Sequence, residues 1–123
     1  MSTFVSIRQL HDVVAWVMTI ANGVAGAWTL GAHWWAPLRC RGQWWLVVAA
    51  QVTVGVQVLL GVYLQVVQDV SAPGIHVFYG FVTLITVALL FAYREQLRAN
   101  LYLLYGFGGL FLMGLGIRGM IIA

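Results

Sequence analysis

Charged side chains divide this chain into four long uncharged stretches, and that spacing constrains the fold more than any other feature. No Asp, Glu, Lys or Arg occurs between Val13 and Leu38, Gly42 and Gln68, Val70 and Tyr93, or Ala99 and Ile117. About 20 largely apolar residues cross the ~30 Å hydrocarbon core of a bilayer as an α-helix, at ~1.5 Å per residue. Each stretch is at or near that length, and the fourth continues past Arg118 through Met120, Ile121 and Ile122. Strands are disfavoured, because period-two alternation is not sustained and four strands cannot close into a membrane barrel. Composition agrees: 63% of the 123 residues are hydrophobic and 7% charged, against roughly 45–50% and 25% in soluble domains. A soluble globular domain, a disordered chain and a coiled coil are thereby excluded. The expected architecture is all-α, one polytopic four-transmembrane-helix bundle over residues 1–123. A small-x-small cleavage site after a short apolar core is lacking, so the first span is expected to stay in the membrane.

The short connections predict an orientation. Loop one carries Arg39 and Arg41, loop three carries Arg94 and Arg98, and loop two holds only Asp69. Arginine-bearing short loops stay in the cytoplasm, which puts loops one and three inside and both termini outside. Trp34, Trp35, Trp44 and Trp45 flank loop one as an inner aromatic belt, with Tyr93, Tyr102 and Tyr105 around loop three. Arg8 and Arg118 then stand on the outer side, against the rule. Six arginines and no lysine are too sparse for a nucleic-acid footprint. The single cysteine, Cys40, excludes an internal disulfide and is read as inert. These features suit a multi-pass protein of the bacterial cytoplasmic membrane, with lipid, other membrane subunits and quinone as partners and no nucleic acid.

The membrane interior is neutral. Ion-coupled transporters need an ionisable residue near the midplane, so a pump or secondary transporter is disfavoured. The polar residues at mid-depth are Asn22, Gln57 and Thr83, one on each of the first three spans. They read as interhelical hydrogen-bond glue or as contacts to a buried substrate or quinone. Small residues recur as a Gly23, Ala27, Gly31 stripe on helix one and as Gly106, Gly108, Gly109, Gly114 and Gly116 on helix four. Close helix packing explains them; clearance for a flat cofactor would require the same residues.

Two histidines are related by position. Ser6-Ile7-Arg8-Gln9 reads as a capping box that starts helix one. Ser71-Ala72-Pro73 offers an N-cap followed by proline, which predicts that helix three starts at Ser71. His11 and His76 each lie five residues past those caps, about 7.5 Å below them on parallel helices. Two imidazoles at one level on different helices meet the requirement for bis-histidine haem ligation; histidines reaching water at an interface are the plainer alternative. Gly61, Gly80, Gly114 and Gly116 lie near the same level. Arg8 and Arg118 could pair with haem propionates or simply snorkel to the interface. His33 has no matching histidine, so a second haem is not expected. Met113 or Met120 could replace one imidazole as a sulfur ligand.

Gln57-Val58-Leu59-Leu60-Gly61, followed on the next span by His76-Val77-Phe78-Tyr79-Gly80, resembles the Q-x-x-L-G … H-x-x-x-G/A pattern of haem A synthase half-modules. Leu10-His11 resembles the partner histidine. The resemblance covers the first three helices and implies a four-helix bundle holding one b-type haem, with His11 and His76 as axial ligands. It does not imply the hydroxylating activity, because the family has two such modules and Arg8 stands here in place of its acidic residue. Nor does the chain carry a nucleophile–base pair, a P-loop or a carboxylate dyad. Two functions follow as expectations. One is a small electron-transfer protein or subunit of cytochrome b type, with haem near the outer leaflet. The other is a non-catalytic accessory or assembly subunit of a larger membrane complex, such as a respiratory one, with no cofactor of its own. Neither is an enzyme in its own right.

Overall fold

The computed structural model of the chain describes residues 6–122, and those residues form an all-α bundle. Its helices are α1 (Ile7–Trp34), α2 (Arg41–Val66), α3 (Gly74–Tyr93) and α4 (Leu101–Ile121). All four are long and apolar enough to cross a membrane, as a multi-pass protein requires. The helix ends follow from local chemistry. Ser6 and Gln9 form the expected capping box, each side chain bonding the other's backbone N–H at 3.1 Å. At the other end of α1, Pro37 sits in a 3-10 turn (Ala36–Leu38). Arg39 then reaches back, donating to the Ala32 and His33 carbonyls at 2.7 and 2.9 Å. A helix leaves its last carbonyls without intrahelical donors, and this guanidinium supplies two.

Helix three departs from expectation. It starts at Gly74 with Pro73 as its N-cap, and Ser71 does not cap it. The residue before a proline is kept out of the α region by the pyrrolidine ring, so Ala72 cannot serve as a first helical residue after Ser71. The connection turns at Asp69, whose φ of 52° is left-handed, a conformation that aspartate tolerates better than most residues. The Val70 N–H returns to the Leu64 carbonyl at 2.8 Å.

Helix α1 lies along both α4 and α2, α3 packs on α4, and α2 touches α3 only sparsely. Glycine sets the α1–α4 contact. A Cβ on Gly26 would lie 2.6 Å from the Leu110 nitrogen, and one on Gly109 would lie 2.8 Å from the Gly26 Cα. The seam therefore runs through Gly26 and not along the whole Gly23, Ala27, Gly31 stripe. Ala27 is exposed, and Gly31 faces Leu38 of the following turn. The cause is helical phase: Thr19, Asn22, Gly26 and Thr29 share one face at spacings of three and four, and all four are buried. Polar side chains stitch α1 to α2. Asn22 donates to the Met18 carbonyl of its own helix at 2.9 Å and to the Ala50 carbonyl of α2 at 3.2 Å. Gln43 of α2 donates to the Thr29 hydroxyl. The anticipated aromatic belt divides: Trp34, Trp35 and Trp45 face outward, whereas Trp44 packs on Tyr102 and Tyr105 with ring centres 5.2 and 5.7 Å apart.

Candidate functional site

The sparse α2–α3 contact leaves a cleft of about 610 Å³, walled by α1, α2 and α3 and backed by the end of α4. Its walls repeat at helical spacing. Helix α2 contributes Gln57, Gly61 and Gln65, and α3 contributes His76, Tyr79, Gly80 and Thr83. Both sets follow the three-and-four rule for one helix face. His11 enters from α1, one turn before Ala15 and two before Met18.

His11 and His76 meet in this cleft, with ring centres 6.2 Å apart and ring planes inclined at 60°. His76 is in the first turn of α3 and His11 in the second turn of α1; the extended approach through Pro73 brings the two to one level. The orientation of His76 is set by a second element. Its Nδ1 lies 2.9 Å from the Gly119 carbonyl of α4. A carbonyl oxygen can only accept, so Nδ1 carries the proton, and in the neutral imidazole Nε2 is then the nitrogen with the lone pair. An imidazole whose second nitrogen donates to a backbone carbonyl is the usual arrangement of a metal-ligating histidine. Nε2 of His11 faces Gly61, where an added Cβ would come within 3.3 Å of it.

The remaining predicted positions fall out unevenly. Gly80 lines the cleft with nothing within 4 Å of where a Cβ would project, so the wall there is bare backbone facing open space. Gly116 lines it too, with its Cα side against Met18 and Thr19, whereas Gly114 faces away. Arg8 and Arg118 are at the histidine end of the bundle and exposed, and neither lines the cleft. Met120 lines it; Met113 packs instead against Gly23. His33 stands at the far end with its ring edge-on to Trp34, 4.8 Å away, and Cys40 is exposed there. The three mid-depth polar residues separate into different roles. Asn22 is interhelical glue, and the Thr83 hydroxyl donates to the Tyr79 carbonyl of its own helix at 2.6 Å. Gln57 presents a buried Oε1 that no donor among the described residues meets. Gln65 and Tyr79 were not singled out by sequence, although each falls on the helical repeat of a residue that was.

The donor set limits the chemistry. Among the described residues no group of three or more His, Cys, Asp or Glu side chains comes together. A bare zinc ion takes three or four protein ligands, which this pair does not supply. A metal that brings its own equatorial nitrogens needs only two axial donors. Two metal–nitrogen bonds of ~2 Å, plus the radius of each ring, put the ring centres about 6 Å apart. The cleft also lies within the roughly 300–1,000 Å³ typical of small-molecule sites. No protein-family model matches the chain, and no curated protein or solved structure gives a match to it.

Proposed function

We propose that this chain is a small membrane electron-transfer protein of cytochrome b type, holding one haem between His11 and His76. The observation that carries this reading is the close approach of the two imidazoles, 6.2 Å between ring centres, with His76 oriented by the Gly119 carbonyl. A bound b-type haem supplies one-electron chemistry at its iron. The chain's own residues do the rest. The Gly119 carbonyl holds His76 in the tautomer that leaves Nε2 free. Gly80 and Gly61 keep the walls low beside the rings, and Val58, Val62, Val77 and Leu84 supply apolar lining between the amides of α2 and the hydroxyls of α3. Arg8 and Arg118, exposed at this end of the bundle, are within a turn of His11 and Gly119 along their helices and are suited to carboxylates at the rim. With both termini outside, the cleft lies in the outer leaflet, where a quinone or an external redox protein could exchange electrons.

The test is an optical spectrum of the purified full chain, oxidised and then reduced with dithionite. The sharp reduced bands of a low-spin b haem are expected, and both His11→Ala and His76→Ala should abolish them. A colourless protein that co-purifies stoichiometrically with a larger membrane assembly would overturn this function in favour of an accessory subunit.

A further inference from the structure

A second cavity, of about 620 Å³, opens at the arginine-rich end of the bundle between α2, α3 and the start of α4. It is remote from the histidine cleft and plays no part in the function proposed above. Its mouth is formed by Arg94, Glu95 and Arg98, and its walls by Val48 and Val52 of α2 and Val87 and Phe91 of α3. Below the mouth the walls carry no charge. From Trp44 to Val52 the α2 wall rises eight residues, ~12 Å of helix, enough to accompany about half of an acyl chain.

The charges at the mouth are arranged to leave one guanidinium available. Arg98 pairs with Glu95 at 2.9 Å. Arg94 has no ion-pair partner among the described residues and lies over the Phe91 ring, its guanidinium carbon 3.9 Å from the ring centre. Stacking fixes the plane of the guanidinium while leaving its in-plane N–H donors free for a planar or tetrahedral anion. We infer that this groove binds one anionic phospholipid, the phosphodiester at Arg94 and Arg98 and one acyl chain along Val48, Val52, Val87 and Phe91. A cationic mouth over an uncharged slot matches an anionic headgroup above a hydrocarbon tail. The positive-inside rule puts this mouth in the leaflet richest in such lipids. A soluble anion would use the two arginines but leave the apolar slot unfilled.

Native mass spectrometry of the full chain tests this directly, after exposure in mild detergent to mixed vesicles of phosphatidylglycerol and phosphatidylcholine. One phosphatidylglycerol per chain should be retained in preference to phosphatidylcholine. Arg94→Gln and Arg98→Gln should each lower that retention about fivefold, the scale of one basic residue at an anionic surface. Glu95→Gln, which removes the competing carboxylate, should raise it. Val48→Trp should block the slot and lower retention with the arginines intact. Both arginines are at the bundle's end, outside its helix–helix seams, so their variants should keep the thermal midpoint of the parent. Equal retention of the two lipids, or unchanged phosphatidylglycerol retention in the double arginine variant, would overturn the inference. Displacement of the lipid by equimolar inorganic phosphate would overturn it too, in favour of a soluble anion.

Discussion

Individual side chains decide what the histidine cleft can hold. Gly80 offers bare backbone to open space, so Gly80→Leu should fold normally while occupying room beside the imidazoles. We expect it to lower haem content at least about fivefold, an overpacking cost of ~1–3 kcal/mol, read from the reduced-minus-oxidised spectrum at an unchanged helical content. Asn22 illustrates the opposite role. Its side chain bridges α1 and α2 and does not line the cleft. Asn22→Ala should destabilise the bundle by ~0.6 kcal/mol, and by no more than ~1.7 kcal/mol, in detergent unfolding, and leave haem content unchanged. Sequence marked both histidines by their equal spacing from two serine caps, of which the structure keeps Ser6 and not Ser71. It could not separate Asn22 from Gln57, since an amide on an apolar helix is equally suited to bridging helices and to facing a cavity. The Ala50 carbonyl beside one, and the cleft that the other lines, tell them apart.

At the scale of elements, the α1–α4 pair is the spine of the bundle and depends on backbone contact. A side chain at Gly109 collides with the Gly26 backbone, whereas one at Gly114 meets nothing. Gly109→Leu should therefore destabilise the protein by about 1–3 kcal/mol. Gly114→Ala should be neutral or stabilise it by up to ~1 kcal/mol through helix propensity. Thermal unfolding of the two variants in one detergent compares them, and equal effects would rule out the close seam. The start of α1 was legible from its capping box, because those bonds are local. The start of α3 was misplaced at Ser71, because the serine signal competes with the restriction that Pro73 imposes on Ala72 and the proline prevails.

The whole molecule is unevenly held. The most apolar part of α1 is 44% buried, and that of α3 only 11%, with α3 leaning on α4 and barely on α2. In hydrogen exchange in detergent, amides of α3 should exchange ahead of those of α1 and α4, since local opening follows buried contact. Haem loading should slow α3 selectively by tying it to α1. The orientation is testable through Cys40, the single cysteine and exposed at the arginine-rich end. A membrane-impermeant maleimide should label it in inside-out vesicles and not in intact cells; the reverse pattern would invert the topology and move the histidine cleft to the inner leaflet.

By itself, the sequence determined the class of protein: four uncharged stretches of spanning length make four apolar helices fit to cross a membrane, because a backbone in hydrocarbon must satisfy its own hydrogen bonds. It also determined the neutral interior and the two histidines worth asking about. The tertiary structure decided the pairing: that α1 closes on α4 through Gly26 and Gly109, that α2 and α3 stay apart, and that His76 reaches the Gly119 carbonyl. Those outcomes depend on helix phase and on which backbones can approach, and a glycine in a sequence carries no record of which neighbour will come close to it.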